Sequence, residues 1–112
     1  MIVRLVRMTF HPEHCERFKL LFEGWRQRII RMPGCRHLEL LRDTDRSNVF
    51  VTYSVWEQAA DLEAYRCSDV FNEVWPTTKA LFSAPAEAWS HTLLHRMDRS
   101  GTTVRDLLSD QA

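Results

Sequence analysis

With 112 residues the chain is one domain by size, long enough to bury a working core. Apolar residues make up 45% and charged ones 27%, the balance of a folded soluble protein and not of a disordered one. The 15 basic and 15 acidic side chains cancel, so nothing overall draws the chain to nucleic acid or to an anionic membrane surface.

The N-terminal run MIVRLVRMTF carries arginines among its apolar residues and no small-residue cleavage site, so it reads as a strand and not as a signal peptide. No apolar stretch approaches the roughly 20 residues of a membrane span. Cys15, Cys35 and Cys67 are scattered, with no C-x-x-C pair. They are expected to be reduced thiols in a cytoplasmic protein.

Residues 2–10, IVRLVRMTF, predict the first strand. Ile2, Val6, Met8 and Phe10 fall on one side and Val3 and Leu5 on the other, so cover on both faces is expected. From Pro12 to Met32 the period changes. Cys15, Phe18, Phe22, Trp25, Ile29 and Met32 mark one face of a helix of about five turns. Pro12 suits its first turn, and Pro33-Gly34 ends it.

CRHLELLRD (35–43) alternates as a second strand, and VFVTYSVW (49–56) follows with high β-propensity after a polar turn at residues 43–48. The two predict an antiparallel hairpin. QAADLEAYR (58–66) is helical, and Ser68-Asp69 starts a second helical segment, the serine as cap and the aspartate at the positive end. Val70, Phe71, Val74 and Trp75 form its apolar stripe. Pro76 is expected to begin a further turn with Ala80, Leu81 and Phe82. AWSHTLLHR (88–96) predicts the last strand, with Trp89, His91, Leu93 and His95 on one face. Residues 97–112 form a polar tail, in which a weak capping box at 103–106 suggests a short helix before Leu107 and Leu108.

The order β-α-β-β-α-β is a ferredoxin-like α+β unit: a four-stranded antiparallel sheet with the helices on one face. The strands are apolar on both sides, so a monomer would expose a large apolar patch. A homodimer whose two sheets pack face to face is the simplest remedy.

Catalytic signatures are few. His11 and His14 flank a strand–helix junction. His91 and His95 stand about 13 Å apart along a strand, too far to chelate one ion. There is no G-x-S-x-G elbow, and three glycines give no phosphate-cradling loop. Cys35 and His37, two apart on a strand, are expected to share a face. What remains is an aromatic set, Trp25, Tyr53, Trp56, Tyr65, Trp75 and Trp89, which either fills the core or lines a cavity for a flat organic ligand.

The stretches MIVRLVRMTFHPE, MPGCRHLELL, VFVTYSVWE and DLEAYRCSDVFNEVW together resemble the antibiotic biosynthesis monooxygenase domain family, of the dimeric α/β-barrel superfamily, over roughly residues 1–95. The most specific features are the P-G-C turn, the W-E after the third strand, and the aromatic-x-x-S-x-x-F pattern at Tyr65, Ser68 and Phe71. Two segments follow from the resemblance, a family domain over 1–96 and the tail 97–112.

The resemblance implies a homodimer with a pocket between helices and sheet in each subunit. Relatives include cofactor-independent oxygenases of aromatic polyketides, quinol oxygenases, haem-degrading enzymes and a sugar-phosphate isomerase. The haem-degrading branch has an asparagine, a tryptophan and a histidine where this chain has Val6, Tyr65 and Trp75. The axial imidazole is thus missing, and a bound haem is not expected to be degraded. Quinol-oxygenase-like members carry histidine where Tyr65 stands. A phenol with a reference pKa of about 10 is a donor more than a base at neutral pH.

The resemblance therefore implies a monooxygenase of a small aromatic or quinol-type substrate, working without a cofactor. His37 is the expected base, with Tyr65 and Trp75 as catalytic donors. Arg7, Trp56 and Phe71 are the expected substrate-binding residues. The alternative is a non-catalytic dimeric module that binds a hydrophobic small molecule or haem. Neither reading calls for a nucleic-acid or membrane partner.

Overall fold

A computed structural model describes residues 1–99. It comprises β1 (Ile2–Thr9), α1 (Cys15–Ile30), β2 (Cys35–Arg42), β3 (Val49–Trp56), α2 (Ala59–Arg66), α3 (Asp69–Lys79) and β4 (Glu87–Thr92), with a 3₁₀ turn at Pro12–His14 leading into α1. The sheet is antiparallel throughout, in the order β2-β3-β1-β4, which is the ferredoxin-like α+β fold the sequence predicts. The suggested helix at 103–108 lies outside the described residues. No helix among the described residues is long and apolar enough to cross a membrane.

Alternation along the strands decides what each face carries. Met8 of β1 joins Phe10, Phe18 and Phe50 in the main core beneath α1. The ring of Phe10 stacks on that of Phe18, with centroids 4.3 Å apart. On the outer face, Val3 and Val55 are buried with Met1, and Leu5, Tyr53 and Leu93 pack around them. Apolar cover on both sides of β1 is therefore real, although on the outer face it comes partly from the chain just beyond β4.

Helix α1 buries Cys15, Phe18, Trp25 and Ile29, the face its periodicity marks out. Gly34 ends the following turn at φ +81°, a backbone conformation that a Cβ disfavours, and its carbonyl accepts the Glu57 N–H at 2.8 Å. Ser68 caps α3 as expected, its hydroxyl oxygen accepting from the Phe71 N–H at 3.1 Å.

Two expectations shift. Pro76 does not open a new turn but lies inside α3, which continues to Lys79. A proline there removes one helix hydrogen bond. Val74 and Thr78, on either side of it, are both buried, and that packing carries the helix through. The hydroxyl of Thr78 donates to the Val74 carbonyl at 2.7 Å and that of Thr77 to the Glu73 carbonyl at 3.0 Å. The last strand is also shorter than the predicted 88–96. β1 begins at Ile2, paired with Thr92, and the Leu93 N–H reaches the Met1 carbonyl at 2.9 Å, so β4 has no neighbour beyond that point.

Candidate functional site

The helices and the sheet enclose a cavity of about 470 Å³, within the range of small-molecule sites. Its floor is the inner face of the sheet, with Arg4 and Val6 from β1 and Thr52 and Ser54 from β3. α1 supplies Trp25 and Ile29, α2 supplies Tyr65, and α3 supplies Phe71 and Trp75. Most of the lining is buried or half-buried. The exposed members are Arg66 and Ala88, so the mouth lies between the end of α2 and the edge strand β4.

One wall is a run of aromatic contacts. Tyr65 stacks on Trp56, with centroids 5.1 Å apart, and meets Phe71 edge-on at 5.2 Å. Phe71 in turn stacks on Trp75 at 5.8 Å, and Trp75 meets Phe82 edge-on at 5.7 Å. The turn between α2 and α3 creates this geometry. Ser68 donates its hydroxyl to the Tyr65 carbonyl at 2.6 Å while capping α3, which fixes Tyr65 relative to Phe71.

Polar groups in the cavity are few. The Trp56 indole N–H donates to Ser54 Oγ at 2.9 Å, and the Trp25 indole N–H is held by Glu73 at 3.2 Å. Among the described residues no acceptor engages the Tyr65 hydroxyl or the Trp75 indole N–H, which leaves both donors to a ligand. Burial pushes the Tyr65 phenol up to about 12, with nearby Cys35 adding to the rise. Burial likewise pushes the Cys35 thiol up to about 11. Both stay protonated at neutral pH. Arg4 is lowered by burial first and then by the like charge of Arg66, against the opposing effect of Glu63.

The structure brings Tyr65, Trp75, Trp56 and Phe71 together in this cavity, but neither His37 nor Arg7. A β-bulge between Cys35 and His37 pairs Cys35 with Trp56 and His37 with Val55, so the two do not share a face. Cys35 goes with the cavity side and His37 with the outer side. There the imidazole contacts Glu39 at 2.8 Å and the Tyr53 ring edge-on at 6.0 Å. Arg7 alternates with the cavity residues Val6 and Met8 and pairs with Glu87 at 3.5 Å.

Arg4, Ser54 and Arg66 line the cavity beyond the residues expected from the sequence. The signal was an arginine set in the same alternating row as Val6 and Met8, facing helices that bury apolar residues. No group of three or more His, Cys, Asp or Glu side chains among the described residues is arranged to hold a metal ion. All five histidines lie outside the cavity lining, which offers no imidazole to a haem iron. The residues present do not fit a histidine-ligated haem.

The sequence profile of the antibiotic biosynthesis monooxygenase family matches residues 1–75, from β1 through Trp75 of the aromatic wall. The chain belongs to this family. Among solved structures, a mutant of SnoaB, a cofactor-independent oxygenase from Streptomyces nogalater, is 22% identical with a TM-score of 0.76, over 86% of this chain and 95% of that one. A conserved protein from Methanosarcina mazei Go1 is 17% identical with a TM-score of 0.78, over 84% and 94%. Rv0793 from Mycobacterium tuberculosis is 15% identical with a TM-score of 0.78, over 87% and 98%. No curated protein matches the chain. At these identities the structural likeness establishes the fold of this antibiotic biosynthesis monooxygenase family member, and its chemistry has to be argued from its own cavity.

Proposed function

We propose that the protein is a cofactor-independent monooxygenase of a flat, electron-rich aromatic or quinol-type substrate, acting as a homodimer in the cytoplasm. The observation that carries this reading is the 470 Å³ aromatic-walled cavity in which the Tyr65 and Trp75 donors stand unengaged. Membership of a monooxygenase family and the likeness to a cofactor-independent oxygenase support it.

In such a reaction the substrate itself supplies the electrons. For an anthrone-type methylene, one oxygen atom of O₂ becomes the product carbonyl and the other leaves as water with the two methylene hydrogens. The mostly buried apolar lining limits contact of the ring with water, the aromatic wall fixes the ring plane, and the Tyr65 hydroxyl or Trp75 indole donates to the oxyanion of the ionised substrate. The titratable groups of the lining among the described residues are Arg4, Tyr65 and Arg66, none of them a carboxylate or an imidazole. The reactive species is therefore the substrate ionised on its own acidity, with no imidazole as base.

The homodimer rests on the outer sheet face, where Trp89 and Leu41 remain 42% and 44% exposed beside Tyr53 and Leu5. The cytoplasmic placement rests on three unpaired thiols. Oxygen uptake with a panel of hydroquinones and anthrones tests the function. Substrate-dependent uptake that falls in Trp75→Ala supports it, and uptake no faster than buffer across the panel removes it in favour of a non-catalytic binding module.

A further inference from the structure

Arg4 is out of character with its surroundings. It sits on the cavity floor in register between Ser54 of β3 and Ser90 of β4, and one guanidinium N–H donates to Ser90 Oγ at 2.9 Å. That bond uses one of the five N–H donors and no carboxylate. Among the described residues no acidic side chain lies within ion-pairing distance of Arg4. Across the mouth, the last turn of α2 presents Arg66, whose ion-pair partner is Glu63 at 3.5 Å, one turn back and largely in solvent. Two cations and one carboxylate leave this rim with a net positive charge, while the rest of the lining is apolar or neutral. Among the described residues the carboxylate acting on half-buried Arg4 is that of Glu63, which Arg66 shares, so the rim keeps one cation in excess that an anionic ligand would offset.

We propose that Arg4 and Arg66 form an anion clamp at the cavity mouth, and that the substrate is a flat aromatic bearing an acidic oxygen substituent, a carboxylate or a comparably acidic enol, directed toward β4. This rests on the proposed ligand site but not on oxygen chemistry. The guanidinium of Arg4 offers a planar fork to two oxygens, and Arg66 closes from the solvent side. With the acidic group at the rim, the ring system lies against the Trp56–Tyr65–Phe71–Trp75 wall. The clamp thus sets both the class of substrate and the direction in which it enters.

Tryptophan quenching reads the test directly, because Trp56 and Trp75 line the cavity. The matched probes are 2-naphthol and 3-hydroxy-2-naphthoate, titrated at neutral pH and low salt. The wild-type protein is expected to bind the naphthoate about tenfold tighter than the naphthol. Arg66→Gln and Arg4→Gln each bring the naphthoate to within about twofold of the naphthol, and Arg4→Lys retains part of the preference. Raising the salt narrows the gap in the wild type.

Equal affinities in the wild type overturn the clamp. So does an Arg66→Gln protein, altered only at an exposed helix end, that loses both ligands in parallel. Oxygen uptake on neutral hydroquinones without any naphthoate preference removes the clamp and leaves the oxygenase reading. Selective naphthoate binding with no uptake on any acidic hydroquinone does the reverse.

Discussion

The ring of Tyr65 lies over the Trp56 indole, with centroids 5.1 Å apart and planes 23° from parallel, joining the last turn of α2 to the end of β3. Trp56 is fully buried and tied by its N–H to Ser54, so it is the fixed member of the pair. Tyr65 is the member that meets both protein and cavity. Tyr65→Phe keeps the stack and removes only the hydroxyl. It is expected to leave thermal stability within about 0.5 kcal/mol and to weaken binding of an oxyanion-bearing aromatic by about 1 kcal/mol. Tyr65→Ala removes the ring and is expected to cost about 2–3 kcal/mol, less than for a fully buried aromatic. Chemical denaturation together with ligand titration separates the two roles.

The same phenol predicts an alkaline limit. In the unfolded chain Tyr65 ionises near its model value of 10.0, whereas in the fold burial raises it to about 12. A raised pKa means that its stabilising contribution is fully present below pH 10 and is lost as pH rises from 10 through 12. Stability measured across that window should fall more steeply for the wild type than for Tyr65→Phe. In oxygen-uptake profiles, Tyr65 should produce no inflection between pH 6 and 9. The profile should track the ionisation of each substrate, and His37→Ala should leave it unchanged, because that imidazole lies on the far side of the sheet.

His37 also illustrates where the sequence stops being legible. The β1 alternation, the α1 stripe, the β2–β3 hairpin and the Ser68 cap all follow from local periodicity and turn chemistry; these strands appear within a residue or two of their predicted ends, while α1 starts at Cys15 because Pro12–His14 form a 3₁₀ turn ahead of it. The aromatic wall was also within reach, because Tyr65, Phe71 and Trp75 sit on consecutive helices beside one cap. Which side of β2 His37 faces depended instead on a bulge, which shifts the strand by one residue and leaves no mark in composition. Arg4 was hidden for another reason. An arginine between apolar residues reads as edge or solvent decoration until the sheet order places β1 second from one side, with Arg4 on its inward face.

Two glycines should respond in opposite directions. Gly24 lies within α1 with nothing near the position of an added Cβ, so Gly24→Ala should stabilise by about 0.5–1 kcal/mol through helix propensity and reduced unfolded-state entropy. Gly34 has φ +81°, and an added Cβ would come 2.3 Å from Asp61 Cγ of α2. Gly34→Ala should therefore destabilise by at least about 1 kcal/mol, from backbone strain and from displacement of Asp61. Denaturant midpoints of the two single variants decide it. Equal and opposite shifts are not required, but a stabilised Gly34→Ala would contradict the close approach of this turn to α2.

On the acid side the key group is Glu73, which receives Arg28 Nη1 at 2.6 Å and the Trp25 indole at 3.2 Å and so ties α3 to α1. Its pKa is lowered, chiefly by the hydrogen bond from Arg28; desolvation opposes this, and the Arg28 charge and the Trp25 N–H add smaller lowering effects. A depressed carboxylate contributes stability that is present above its unfolded value of 4.5 and is lost as pH falls through the folded value. Glu73→Gln should flatten the loss of thermal stability below pH 4.5 while lowering the midpoint at neutral pH. Because Trp25 and Trp75 both line the cavity, the same variant should also shift tryptophan emission.

The outer sheet face supplies the remaining prediction. Leu5 stands in register between Tyr53 of β3 and Trp89 of β4, forming an apolar row across three strands. Flanking it are the Arg7–Glu87 ion pair and the His37–Glu39 contact. Just after β4, the guanidinium of Arg96 lies over the Tyr53 ring at 6.0 Å, so the chain covers part of this face while Trp89 stays 42% exposed. Burying the uncovered part against a second copy would remove it from water and put the two sheets back to back, with each cavity facing away from the interface. Light scattering at micromolar concentration should then give about twice the 13.3 kDa chain mass. Trp89→Glu, which places a charge in the row without touching the cavity, should shift the population to monomer. If the wild type is monomeric at that concentration, the dimer is wrong. If Trp89→Glu leaves a dimer intact, the two copies meet elsewhere.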